Sequence, residues 1–136
     1  MALTEVMEGS SALTPEGFHA LMARLAEAWN AGDADTAAAL FAEDAVYLDP
    51  GGKKFYRSRA VLRELFDRTA KRASMKTTWR RVFFDEPTQT GAAEFTFDWG
   101  GHAYAGVAIV TLEGGLVSRW REYQVESDSA FEPISG

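Results

Sequence analysis

The sequence contains no cysteine and only two histidines among its 136 residues. Disulfides, thiolate nucleophiles and cysteine-ligated metal sites are therefore excluded. His19 and His102 lie far apart in the sequence and lack the spacing of metal ligands, so we do not expect a histidine-rich metal site. We predict a protein that needs neither a metal nor a cofactor.

Long hydrophobic runs and an excess of positive charge are also missing. No run approaches the roughly 20 apolar residues of a membrane span, and the first residues lack the basic and apolar regions of a secretory signal. The 20 acidic and 14 basic residues give a net charge of -6, which argues against nucleic-acid binding. We therefore expect a cytoplasmic protein without nucleic-acid or membrane partners.

Apolar and aromatic side chains, in contrast, are plentiful. Hydrophobic residues make up 46% of the chain and aromatic residues 12%, enough to fill a core and to line a cavity. The length fits one domain. We predict a flexible N-terminal tail over residues 1–13, a single domain over residues 14–127 and a C-terminal tail over residues 128–136.

Three helices are predicted in the N-terminal half from their capping residues. Thr14, Asp33 and Ser58 are good N-caps, and Gly32 can end the first helix. The third helix is expected over Arg59–Arg72. One apolar stripe at helical spacing marks the first helix: Phe18, Leu21, Met22, Leu25 and Trp29.

Strands are predicted after these helices. A short strand, Ala45–Asp49, lies between the second and third helices, and Gly100-Gly101 and Gly114-Gly115 are hairpin signals further on. The later strands are expected over Met75–Phe84, Ala92–Trp99, His102–Leu112 and Leu116–Val125. This order predicts an α+β cone-shaped fold, with three helices packed on a curved, mainly antiparallel sheet that encloses a pocket.

Two carboxylates are candidates for acid–base chemistry. Asp49 shares a strand face with Tyr47, and Glu122 shares one with Trp120. If those faces line the pocket, either carboxylate could act as a general acid or base. Alternatively, Asp49 caps the Pro-Gly-Gly turn that follows it and Glu122 pairs with an arginine of another strand.

Two stretches, Ala28–Gly52 (AWNAGDADTAAALFAEDAVYLDPGG) and Gly114–Gln124 (GGLVSRWREYQ), resemble the nuclear-transport-factor-2-like superfamily, particularly its SnoaL-like and ketosteroid-isomerase-like members. The resemblance implies the cone fold, a homodimer and pocket faces that carry Tyr47 with Asp49 and Trp120 with Glu122. Asp49 matches the aspartate that moves the proton in ketosteroid isomerases.

The sequence departs from both enzyme patterns of that superfamily. Leu25 and Ala108 stand where the isomerases carry the tyrosine and the acid of their oxyanion hole, so steroid isomerisation by that arrangement is not expected. Tyr47 and Glu122 match positions of limonene-epoxide-hydrolase-like members, but Ala92–Trp99 lacks the arginine of that site.

We therefore predict a SnoaL-like protein that binds an apolar small molecule, with Asp49 as base and Glu122 or Tyr47 as proton donor or water holder. Isomerisation, cyclisation and hydration are the reactions considered. The alternative is a non-catalytic ligand-binding or protein-interaction module. A homodimer would have a polar interface, since Arg119 and Arg121 are expected on the outer face. The side chains expected to touch the ligand are Trp29, Leu25, Trp120, Phe66 and Ala108.

Overall fold

The computed structural model describes residues 12–48 and 54–126. The described residues form the helices α1 (Pro15–Ala31), α2 (Ala34–Ala39) and α3 (Arg59–Arg72). They also form six strands, which are β1 (Phe41–Leu48), β2 (Phe55–Arg57), β3 (Met75–Asp85), β4 (Thr90–Trp99), β5 (His102–Glu113) and β6 (Leu116–Glu126). The helices pack against one open, curved sheet, so the predicted α+β cone is confirmed.

The sheet has the strand order β2-β1-β6-β5-β4-β3. β1 runs parallel to β6, and every other neighbouring pair is antiparallel. β1 begins at Phe41, earlier than the predicted Ala45, and β2 was not predicted. Phe41 is fully buried and belongs to the core, while β2 has only three residues and carries too short a pattern to read.

The predicted helix caps are present. The hydroxyl of Thr14 accepts a hydrogen bond from the Gly17 amide at 3.0 Å, and the Asp33 carboxylate accepts one from the Thr36 amide at 3.1 Å. The hydrogen bonds from the Thr36 side chain and amide hold the pKa of Asp33 below its ordinary value. Ser58 caps α3 in the same way. Local side-chain chemistry therefore fixes where each helix begins.

The core forms where α1 lies on the sheet. The rings of Phe18 on α1 and Phe84 on β3 stack with their centroids 4.5 Å apart. Gly91 on β4 makes this contact possible, because a Cβ at that position would lie 2.5 Å from two atoms of the Phe18 ring. A residue without a side chain thus allows the helix to approach the sheet.

Side-chain hydrogen bonds hold α1 along β3, one of the two edge strands. The Trp79 indole donates to the Met22 carbonyl at 2.7 Å, and the Asn30 amide exchanges two hydrogen bonds with the Thr77 backbone at 2.7 and 3.1 Å. The two Asn30 bonds satisfy backbone polar groups of the strand edge. They fix one wall of the space between the helices and the sheet.

The described residues include only a small part of the two predicted tails. Leu13, assigned to the flexible N-terminal tail by prediction, is held by Gln89, whose side-chain amide bonds to the Leu13 amide and carbonyl at 2.9 and 3.0 Å. Leu13 therefore contacts the domain that was predicted to begin at residue 14. Residues 1–11 and 127–136 lie outside the described residues, and so does Asp49.

Candidate functional site

A cavity of about 380 Å³ lies between the helices and the inner face of the sheet. Its walls are mainly aromatic, and all four tryptophans of the chain belong to them. The lining residues are Trp29, Tyr47, Tyr56, Leu65, Phe66, Thr69, Met75, Thr77, Trp79, Phe95, Phe97, Trp99, Tyr104, Trp120, Glu122 and Gln124. A volume of this size is within the range of small-molecule sites.

Strand alternation places the polar side chains of this cavity. Trp120, Glu122 and Gln124 are every second residue of β6 and all line the cavity. Their partners in register on β5 are Val110, Ala108 and Gly106, which are small or apolar. The floor beside Glu122 and Gln124 therefore offers few polar groups of its own.

Glu122 lies at the centre of a hydrogen-bonded cluster. Its Oε1 atom accepts from the Trp120 indole at 2.7 Å and from the Tyr47 hydroxyl at 3.2 Å. The rings of Tyr47 and Trp120 stack nearly parallel, with centroids 6.0 Å apart, because β1 pairs with β6 at these two residues. The parallel pairing of β1 and β6 thus brings Tyr47 close to Glu122, which lies 75 positions later in the sequence.

This cluster is chemically suited to hold a carboxylate beside an apolar ligand. Two donors orient Glu122, and aromatic rings form most of the surrounding wall. Glu122 is only partly buried, and these hydrogen bonds offset the cost of removing part of its carboxyl group from water. A group so placed can exchange a proton with a ligand in the same cavity.

The predicted site residues divide into three sets. Tyr47, Glu122, Trp29, Phe66 and Trp120 line the cavity. Asp49 lies outside the described residues, so its proposed role as a base rests on the sequence alone.

Leu25 and Ala108 require a correction. Both side chains are completely buried in the hydrophobic core and neither lines the cavity. Leu25 belongs to the stripe by which α1 packs on the sheet, and Ala108 lies between Ala93 and Glu122 in the register of three strands. A side chain without accessible surface does not reach a ligand.

Several lining residues were absent from the predicted site. The alternation of Phe95, Phe97 and Trp99 along β4 was a usable signal, because it places all three on one face of the sheet. Tyr56 carried no such signal, since it lies on the unpredicted strand β2. Tyr104 reaches the cavity through its register with Phe97, which depends on the hairpin between β4 and β5.

The described part of the chain lacks two other features. No group of three or more histidine, aspartate or glutamate side chains there is arranged to hold a metal ion. Within the same residues, no helix is long and apolar enough to cross a membrane.

The chain matches the SnoaL-like domain over residues 22–120. Similar solved structures include a candidate ketosteroid isomerase from Kribbella flavida, which is 24% identical with a TM-score of 0.72, covering 90% of this chain and 85% of the other. An LEH-like epoxide hydrolase from M. tuberculosis is 20% identical with a TM-score of 0.68, covering 77% and 80%.

A third similar structure is SalBIII, an epoxide hydrolase/cyclase-like enzyme of pyran ring formation in the polyether salinomycin. It is 19% identical with a TM-score of 0.67, covering 82% of this chain and 92% of SalBIII. No functionally curated protein is significantly similar to the chain in sequence. The match over residues 22–120 shows that this chain belongs to the SnoaL-like family.

Proposed function

We propose that the cavity binds an apolar, ring-containing small molecule and that Glu122 exchanges a proton with it. The aromatic walls support binding, because they present rigid apolar surface to a ligand at little cost in side-chain entropy. The volume of about 380 Å³ accommodates two or three fused rings. No metal or cofactor is needed for this chemistry.

One observation carries the catalytic part of the proposal. Glu122 presents a carboxylate in an aromatic cavity, where Tyr47 and Trp120 both donate to the same oxygen. A residue with only a packing role would not require a carboxylate there, and such groups in clefts are frequent acid–base catalysts. Tyr47 serves in this proposal as the proton donor or water holder beside Glu122.

The reaction class is isomerisation, cyclisation or hydration. The similar structures are described as a candidate isomerase, an epoxide hydrolase and an epoxide hydrolase/cyclase-like enzyme, and acid–base chemistry fits each of these. Asp49 is the second carboxylate of the proposal, as the base. Its assignment derives from the resemblance to ketosteroid isomerases and from the sequence position two residues after Tyr47.

Binding is tested first, with 2-naphthol as the probe. Because all four tryptophans line the cavity, their indole N–H signals in a ¹⁵N–¹H correlation spectrum report directly on occupancy. We expect several of the four signals to shift in a saturable way, with a matching Kd by calorimetry. Unchanged indole signals up to the solubility limit of the probe would contradict the proposal.

Proton transfer is tested with two probe reactions, isomerisation of cyclohex-3-enone and hydrolysis of styrene oxide. In the reaction that wild type accelerates, Glu122→Gln should lower kcat/KM by about 100-fold or more, the usual contribution of a general acid or base. Glu94→Gln is the matched control, since Glu94 lies on β4 and pairs with Arg81. Circular dichroism checks that both variants fold.

The non-catalytic alternative predicts a different combination of binding and activity results. A ligand-binding module would bind 2-naphthol but accelerate neither probe reaction, and Glu122→Gln would alter affinity alone. Equal loss of activity in Glu122→Gln and Glu94→Gln would also contradict a direct role for Glu122.

A further inference from the structure

One of the aromatic rings that line the cavity, Trp99, has a cation on it. The guanidinium carbon of Arg72 lies 5.6 Å from the centroid of the Trp99 ring. The Trp99 indole donates to the Thr69 carbonyl at 3.1 Å, so α3 fixes the position of the ring. This part of the cavity wall therefore carries a positive charge beside a rigid aromatic surface.

Helical spacing places Arg72 on the cavity side of α3. Leu65 and Thr69 line the cavity, and Arg72 follows Leu65 by seven residues and Thr69 by three. Residues at these spacings lie on one side of a helix. Thr69 and Trp99 are half-buried and Arg72 is exposed, so the cavity wall meets solvent here. A ligand group that extends past Trp99 would contact the guanidinium.

The local charge is opposite to the net charge of the chain. The chain has a net charge of -6, but residues 67–76 contain one acidic side chain, Asp67, and four basic ones. These basic residues are Arg68, Lys71, Arg72 and Lys76. Lys71 forms an ion pair with Asp67 at 2.9 Å, whereas Arg72 forms none among the described residues.

The other acidic groups near Trp99 do not neutralise Arg72. Asp98 precedes Trp99 on β4, and strand alternation places its side chain on the opposite face of the sheet. Glu126 is paired with His102, at 2.6 Å between its Oε2 and the histidine Nδ1. The positive charge of Arg72 is therefore available to an anion from outside the chain.

We infer that the molecule bound in the cavity is a ring-containing organic acid whose ionised group pairs with Arg72 beside Trp99. This inference rests on the proposed function, because it requires a ring compound in the cavity. The planar guanidinium of an arginine matches a carboxylate with two parallel hydrogen bonds. Arg72 is thus a specificity-determining residue that favours an acid over a neutral compound of the same shape.

Glu122 lies far enough from this place to avoid repelling the acid group. Its partner in register is Ala108, which pairs with Ala93, six positions before Trp99 on β4. Six residues of strand span about 20 Å, roughly twice the distance over which salt screens a charge. The ligand therefore places its acid group beside Arg72 and its reacting group towards Glu122.

A pair of probes isolates the charge. 6-Hydroxy-2-naphthoate carries the acid group on two fused rings, and 6-acetyl-2-naphthol has a neutral methyl ketone of nearly the same shape in its place. Calorimetry of wild type at neutral pH and low salt should give a higher affinity for the acid. Arg72→Met should lower the affinity for the acid by about 3–10-fold, as for one exposed charge-assisted pair, and that for the ketone by less than about 2-fold.

Two further variants and salt separate charge pairing from a structural role. Raising the salt concentration should weaken binding of the acid alone, because salt screens an exposed charge pair. Arg72→Lys keeps the charge and should retain part of the preference for the acid. Arg63→Met is the matched control, since Arg63 is an exposed arginine of α3 that pairs with Asp35, and it should leave both affinities unchanged.

Lys54 is the competing cation, because its Nζ lies 5.3 Å from the centroid of the Tyr56 ring, which also lines the cavity. We expect Lys54→Met to leave the preference for the acid in place. A loss of acid binding in Lys54→Met but not in Arg72→Met would assign the anion to Tyr56 and overturn the inference.

The remaining outcomes also decide the question. Equal binding of the two probes to wild type would overturn the role of Arg72 while leaving the cavity as a binding site. An equal loss of affinity for both probes in Arg72→Met would assign Arg72 to the support of the Trp99 ring and would also overturn it. Binding of neither probe to wild type would refute the proposed function together with this inference.

Discussion

The two faces of the sheet have the same strands but opposite chemistry. The inner face carries Trp79, Phe95 and Trp120, whose rings contact one another within 6.1 Å between centroids. The outer face carries charge pairs such as Arg81 with Glu94, whose atoms Nε and Oε1 are 3.1 Å apart. Water stabilises polar side chains on the outer face. Polar side chains on the inner face need hydrogen-bond partners within the protein or on a ligand.

This difference identifies the candidate functional residues. On the outer face a glutamate is ordinary, because water stabilises its charge. On the inner face Glu122 needs the Tyr47 hydroxyl and the Trp120 indole, and Gln124 remains without a partner for its oxygen among the described residues. Polar side chains on the inner face are therefore the candidates for contact with a ligand.

The outer face is less polar than the sequence led us to expect. Arg119 and Arg121 are exposed, but the register partner of Arg121 on β5 is the apolar Ile109. Tyr123 and Val125 are exposed as well, the latter to 66%. Exposed apolar side chains close together on one sheet face are a feature of interaction surfaces.

The largest expected effect is on molecular mass, because we propose that two copies of the chain form a homodimer through this face. Light scattering of wild type should then give twice the chain mass of 14.9 kDa. Val125→Lys should shift the mass towards that of one chain, while Val61→Lys, at an exposed position of α3, should not. A wild-type mass of 14.9 kDa would leave the outer face as a solvent face.

Gly106→Ala should give the largest loss of stability. The added Cβ would lie 2.1 Å from the Tyr123 carbonyl oxygen, so β5 and β6 would have to separate, at a cost of about 3 kcal/mol. Urea unfolding measures this change. Gly17→Ala in α1 is the control, since its Cβ meets neighbours at 3.4 Å or more and should leave stability unchanged or slightly higher.

Substituting two adjacent phenylalanines of β3, one at a time, compares the two faces of the sheet directly. Phe84 stacks on Phe18 in the core, whereas Phe83 is 59% exposed. Phe84→Ala should lower the free energy of unfolding by about 2 kcal/mol, somewhat less than for a fully buried ring. Phe83→Ala should lower it by about 0.5 kcal/mol or less. Similar losses for the two variants would show that the outer face is buried in solution.

Much of this contrast could be predicted from the sequence, because strand alternation and helix caps are local. Alternation along β6 placed Glu122 with Trp120, and Thr14 marked the start of α1. Leu25 and Ala108 were misplaced because their burial depends on how α1 and three strands pack together. The proximity of Tyr47 to Glu122 depends on the parallel pairing of β1 with β6, which no local pattern encodes. The resemblance implied only that both residues face the pocket.

The smallest effect concerns the hydroxyl groups of two tyrosines in the cavity wall. Tyr47 donates to Glu122 at 3.2 Å, so Tyr47→Phe should lower the free energy of unfolding by about 1 kcal/mol. Tyr104 lines the same cavity, and within the described residues its hydroxyl makes no hydrogen bond, so Tyr104→Phe should change stability by less than about 0.5 kcal/mol. Urea unfolding of both variants provides the comparison. Equal effects would mean that the hydrogen bond to Glu122 contributes nothing to the fold, and that Glu122 is held in the cavity wall by its remaining contacts.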